Sequence, residues 1–320
     1  MAQLIKLQDF ISRYEMNVYR YPSQYIRLKK QHWRKLKAKW EEGTLVAPEQ
    51  VEQEIEDEER KTFFGPLKKW KLKRGGDTDE NLEVMMSPVS YEEENQEDSG
   101  FSMEYQFREQ PLDEEDLKRH FLDQLLEIQI RWASSTIREK SFVDREFYHD
   151  DHLKYFLQRF PDNYLLLYHP VFLIQKAPIE LEIIMISPTE TWCITMLEGK
   201  EDSVFLGSKE KFWTEKHTNE EKKILNPLIS LNRMEKIVKR IYTLYQLELP
   251  IRKVVLNRNG YIDYPFGPAD TLFIDRRNYE GWFTSLRRLS SPIKHDQLKA
   301  AKHLLQYCQT TYIKRPEWDA

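Results

Sequence analysis

The apolar positions divide the chain into stretches of different period. Leu117, Phe121, Leu125, Ile128 and Trp132 step by 4, 4, 3 and 4, the spacing of one helix face. Asp113 stands where an N-cap belongs, acids at 114 to 116 suit the positive helix end, and Leu112 and Leu117 take the staple positions. Leu153, Phe156, Leu157 and Phe160 predict a shorter helix from about Asp151, closed by Pro161-Asp162-Asn163. Three strand-like runs follow: Tyr164–Ile174, kinked at Pro170, then Ile179–Ile186 and Thr191–Leu197. Ser187-Pro188-Thr189-Glu190 predicts a hairpin between the last two. Asn226 and Pro227 open a helix whose stripe runs Leu228, Leu231, Met234, Val238, Ile241 and Tyr245. Ile251–Leu256 and Thr271–Ile274 read as strands, and helices near 279–289 and 293–308 close the chain. The order predicts an α/β or α+β layer on a mixed sheet.

The N-terminal part reads as helical. Leu4, Leu7, Phe10, Ile11 and Tyr14 recur at helical spacing, and Pro22 then ends that run. Ser23 would cap a second, basic helix that includes Lys30, Arg34 and Lys37 beside Trp33 and Trp40. Charge sharpens the division. Residues 1–75 carry 17 basic and 11 acidic side chains, residues 76–118 carry 2 and 15, and residues 119–320 carry 30 and 27. The middle block has few large apolar residues, so it predicts an acidic flexible linker over 76–112. The expected organisation is a basic helical region over 1–75, that linker, and a folded domain over 113–320.

Composition excludes several classes. With 16 Phe, 17 Tyr and 8 Trp in 320 residues, the chain can bury a sizeable core. Two cysteines, Cys193 and Cys308, exclude a disulfide scaffold and a four-cysteine zinc module. The start lacks a signal-peptide core, and the most apolar stretch, 164–174, is far short of a membrane span, so a cytoplasmic protein without a membrane is expected. The histidines have no paired-ligand spacing, and no phosphate-cradling glycine loop is present.

The αβββαβ order, with acids on the second and third strands, resembles the restriction-endonuclease-like fold of PD-(D/E)XK nucleases. It is most similar to the nuclease-related domain (NERD) found in many bacterial proteins. The carrying residues are Glu180-Leu181-Glu182 followed by Ile183-Ile184-Met185, then Trp192-Cys193-Ile194, Trp213 and Asn226-Pro227. They lie within residues 150–260. The resemblance implies a divalent metal held by two carboxylates, with a Lys stabilising developing charge. It places Glu182 at the first metal-ligand position, but puts Thr195 and Leu197 where the family has Glu and Lys, and Ser230 where many members have Gln. The metal pair therefore looks degenerate.

Hairpin register decides the alternative. Glu198-Gly199-Lys200 is a literal E-x-K. A two-residue turn puts 195 and 197 on the face of Glu182, whereas an odd loop or a bulge would bring Glu198 and Lys200 there. The candidate catalytic set is thus Glu182, Glu198 and Lys200, with Glu182 the metal ligand. No cofactor is expected unless the site is active, when it would take Mg²⁺ or Mn²⁺. Two basic segments are candidates for nucleic-acid contact: Lys30, Arg34 and Lys37, and a second run with Lys68, Lys69, Trp70, Lys71, Lys73 and Arg74. The basic and acidic N-terminal segments could instead dock a protein partner. Three functions stand open: a degenerate, nucleic-acid-associated or regulatory binding module, an active metal-dependent nuclease, and a structural interaction module.

Overall fold

A computed structural model describes residues 1–45 and 111–315. Before the strands of the main body come β1 (Gln3–Leu7), α1 (Arg13–Met16), α2 (Tyr21–Glu41) and α3 (Glu114–Trp132). Then follow β2 (Glu139–Lys140), a 3₁₀ turn, α4 (Asp151–Arg159), β3 (Leu165–Tyr168), β4 (Val171–Ile174), β5 (Ala177–Glu180), β6 (Ile183–Ile186) and β7 (Thr191–Met196). Next are β8 (Val204–Leu206), β9 (Phe212–His217), β10 (Glu220–Leu225), α5 (Pro227–Leu244), β11 (Ile251–Leu256), β12 (Tyr261–Asp263) and β13 (Thr271–Ile274). The order closes with α6 (Tyr279–Arg287), α7 (His295–Gln306) and β14 (Ile313–Lys314). Among the described residues no helix is long and apolar enough to cross a membrane.

The fold is mixed α/β, as the pattern predicts. Its central sheet has six strands in the order β1-β3-β6-β7-β11-β13. β6 runs antiparallel to β3 and β7, while β1 pairs parallel with β3 and β11 pairs parallel with β7 and β13. The elements α4, β3, β6, β7, α5 and β11 realise the αβββαβ order. Two insertions interrupt it: the β4–β5 hairpin, and β8–β10, which with β12 from beyond β11 form a second sheet ordered β10-β9-β8-β12. The central strands bury both faces, which is why β3 and β6 read as unbroken apolar runs rather than alternating ones.

The chain divides into two compact units, Met1–Lys30 with Phe121–Ala320, and Gln31–His120. The expected boundary at 75 lies outside the described residues. The first residues form a strand, not a helix, because all five residues of β1 are buried in the sheet. Gln129 covers its outer edge: its Oε1 accepts from Leu4 N at 2.6 Å and its Nε2 donates to Ala2 O at 2.8 Å. A side-chain amide there mimics a neighbouring strand and closes an edge that would otherwise be open. Buried Lys6 donates to Phe10 O at 2.7 Å and to Glu15 Oε1 at 2.5 Å.

Other expectations are also revised. α2 begins at Tyr21 with Pro22 in its first turn, where the missing N–H costs nothing. Asp113 does accept from Asp116 N at 2.7 Å, but Leu112 is 94% exposed and makes no staple. Pro170 splits the 164–174 run into β3 and β4, and β4 leaves the central sheet to pair with β5. Most of the expected acidic linker lies outside the described residues.

Candidate functional site

Ser187 fixes the hairpin register. Its N–H donates to Glu190 O at 2.8 Å, and its hydroxyl accepts from Glu190 N at 2.9 Å. The turn therefore holds two residues, Pro188 and Thr189, and Ile186 pairs with Thr191 and Ile183 with Ile194. Carrying that register one step further sets Glu182 opposite Thr195.

Around Glu182 the donors converge from two elements. Ser230, on the first turns of α5, donates to Glu182 Oε1 at 2.5 Å. The Thr195 hydroxyl and the Met196 backbone N–H also hydrogen-bond this carboxyl, and Arg233 contributes positive charge. The Thr195 and Ser230 hydroxyl oxygens lie 3.4 Å apart. Burial is the largest influence and raises the Glu182 pKa above the usual carboxylate value, against the pull of these donors.

Asn226 places Ser230. Its Oδ1 accepts from Leu228 N at 3.0 Å as the N-cap of α5, with Pro227 at the first helical position. Its Nδ2 donates to Ser208 O at 3.2 Å and Glu210 O at 2.8 Å, and the Trp213 indole donates to the same Ser208 O at 3.0 Å. One side chain thus caps the helix and pins the loop in front of it, and Ser230 reaches Glu182 one turn later.

The E-x-K arrangement is not assembled. Glu198 is exposed and its Oε1 lies 3.2 Å from His152 Nδ1. Lys200 is exposed and pairs with Glu220 of β10 at 2.7 Å. Gly199 has a structural reason: a Cβ there would come within 2.5 Å of Glu215 Oε1 and 2.8 Å of Phe205. The segment is a tight corner where the chain leaves the central sheet for the second one. The two-residue turn leaves Thr195 and buried Leu197 in the frame of Glu182, so Glu198 and Lys200 do not join it.

The residues present do not fit a Mg²⁺ or Mn²⁺ site. Among the described residues no three His, Cys, Asp or Glu side chains come together to hold a metal ion. Glu182 stands as one carboxylate occupied by hydroxyl and amide donors, and Thr195 brings a weak neutral oxygen where a second negative charge is needed.

Several polar groups have no counterpart in the sequence reading. His169 Nδ1 lies 3.5 Å from Glu180 Oε1, its backbone N–H donates to Glu182 O at 2.8 Å, and burial lowers its pKa. Tyr168 donates to Asp150 Oδ2 at 2.7 Å. Lys253 on β11 is buried, with Asp270 at 2.7 Å, Asn232 at 2.9 Å and Glu235 at 3.4 Å, and it holds the Asp270 carboxyl below its usual pKa. These partners are far apart in sequence, so no local spacing announces them. Cys193 is buried in β7, and burial raises its thiol pKa, as befits a core residue.

The basic candidates separate. Lys30 and Arg34 are exposed on α2. Lys37 is engaged, 3.1 Å from Glu114 Oε2 and 3.8 Å from Glu41 Oε1. Lys68, Lys69, Trp70, Lys71, Lys73 and Arg74 lie outside the described residues.

No protein-family model matches the chain, and no solved structure matches it. Over 41 residues it is 56% identical to an RNA 2′,3′-cyclic phosphodiesterase of Geobacillus stearothermophilus. The match spans 13% of this chain and 13% of that protein.

Proposed function

We propose that the chain is a nuclease-related-domain protein with a degenerate metal site, and that it acts as a nucleic-acid-associated or regulatory binding module in the cytoplasm. What supports the reading is the αβββαβ order together with the register that brings Glu182, Thr195 and Ser230 to one point. The observation that carries it is the hydroxyl donors around the Glu182 carboxylate. A phosphodiesterase of this type needs a second carboxylate to hold the metal and a Lys against the charge on phosphorus. Thr195 cannot supply the first, nor buried Leu197 the second. Losing one such electrostatic donor typically costs about 2.7–4 kcal/mol, roughly a hundred- to a thousandfold in rate.

The active-nuclease reading would need Glu182, Glu198 and Lys200 together, and the partners of Glu198 and Lys200 weigh against it. The name of the short relative makes RNA a substrate to include beside DNA, and nothing more. The test is an assay of purified protein with Mn²⁺ on plasmid DNA, single-stranded DNA and RNA, alongside binding measured by gel shift. Binding that falls with salt and no cleavage is the expected result. Cleavage abolished by both Glu182→Ala and Lys200→Ala would overturn the proposal.

A further inference from the structure

The outer side of α5 carries a second apolar stripe. Its core stripe, Leu231, Met234, Val238 and Ile241, packs into the buried interior. Ile237 and Leu244 lie off that stripe and face an open groove of about 750 Å³, walled on the other side by Leu173 and Ile174 of β4 and floored by Tyr307. Leu244 is 63% exposed and Leu173 44%. Large exposed aliphatic side chains around one groove mark an interaction surface more often than a bare protein face.

The rim is basic. Lys236, Lys239 and Arg240 line the groove; among the described residues no acidic side chain lines it and none of the three cations has an ion-pair partner. The walls argue against a single-stranded nucleic acid, which stacks successive bases on aromatic faces: Leu173, Ile174, Ile237 and Leu244 offer none, and Tyr307 is a single aromatic in the lining. Gln175 of the β4–β5 turn also lines the groove. Gln175 and Lys176 both take left-handed backbone, φ +51° and +68°, where Asn-Gly is usual.

We infer that this groove binds an acidic amphipathic helix of a partner protein, with apolar anchors between Leu173 and Leu244 and carboxylates on Lys236, Lys239 and Arg240. This is the helix-in-groove mode, in which side chains at helical spacing enter an apolar cleft and charge sets orientation and partner choice. The inference is independent of the chemistry around Glu182.

The test uses the full chain and a fluorescein-labelled synthetic peptide of about four helical turns, with Leu at helical spacing and Glu between. Fluorescence anisotropy should show saturable binding that weakens with salt. Leu244→Glu, at an exposed position, should weaken it by about tenfold or more, as should Lys239→Glu with Arg240→Glu, while Lys222→Glu on β10 should leave it unchanged. Circular dichroism of each variant should match the wild type. The inference is overturned if no saturable binding appears, or if Leu244→Glu has no effect. It is equally overturned if a peptide with Lys in place of Glu binds as well, or if anionic phospholipid vesicles bind the groove and the peptide does not. A self-association that Leu244→Glu dissolves would assign the groove to a second copy of the chain, and would also overturn it.

Discussion

Replacing Ser230 with alanine removes one hydroxyl and leaves the helix intact. In the wild type that hydroxyl donates to Glu182 at 2.5 Å. A hydrogen bond to an ionised group contributes about 1.5–3 kcal/mol, and one to a neutral group about 0.5–1.5 kcal/mol. Ser230→Ala should therefore cost about 1.5–3 kcal/mol while Glu182 is ionised, a fall in Tm of roughly 2–5 °C for a chain of 320 residues. The pH dependence has a definite sign. Burial raises the Glu182 pKa above its unfolded value, so the folded state favours the protonated carboxyl. The stability this contributes is fully present below the unfolded pKa and is lost as pH rises through the raised folded one. Ser230 offsets part of that loss by holding the ionised form. The penalty of Ser230→Ala should thus be small in acid and grow through the Glu182 titration. In a Glu182→Gln background it should shrink to the neutral-bond range at every pH. Thermal melts of the four proteins of this cycle, from about pH 4 to about pH 8, measure all of this. A penalty independent of pH and unchanged in the Glu182→Gln background would refute the reasoning.

Three further outcomes follow from the fold. A fragment of residues 119–320 should fail to fold, because it lacks β1, and Ile5→Ala in the full chain should cost about 2–5 kcal/mol in chemical denaturation, since Ile5 is fully buried. Asn226→Ala should lower stability by about 1–2 kcal/mol from the lost cap and speed hydrogen exchange in 208–210, whose carbonyls it holds. Nucleic-acid binding should fall with a log–log salt slope of about −0.9 per phosphate neutralised on duplex DNA; Lys30→Ala and Arg34→Ala should reduce that slope in gel shifts, and Lys37→Ala should not, because Lys37 is already paired.

How far the sequence carried the reading can be seen element by element. Asn226-Pro227 and the 3–4 spacing behind it placed α5, because capping chemistry and periodicity agree there. Ile251–Leu256 and Thr271–Ile274 were legible as strands to the residue, being short apolar runs between turns. The apolar spacing of β1 matches a helix by coincidence, and its polar members, Gln3 and Lys6, are buried by partners distant in sequence, so no local pattern marks the strand. In the second sheet, β9 and β10 are rich in Lys and Glu, whose exposed face hides the strand period. At the site, the two possible registers were visible, but Ser-Pro-Thr-Glu has no residue pair that dictates turn length. The hydrogen bonds of Ser187 decided it, and those depend on the folded backbone.

The central proposal, that Glu182 holds no catalytic metal, is tested most directly by the nuclease assay with Mn²⁺ on the wild type, Glu182→Ala and Lys200→Ala. The account predicts no cleavage of DNA or RNA by any of the three above the level of a mock purification. Cleavage by the wild type that both substitutions abolish would contradict it, and would mean that Glu198 and Lys200 reach Glu182 when nucleic acid binds.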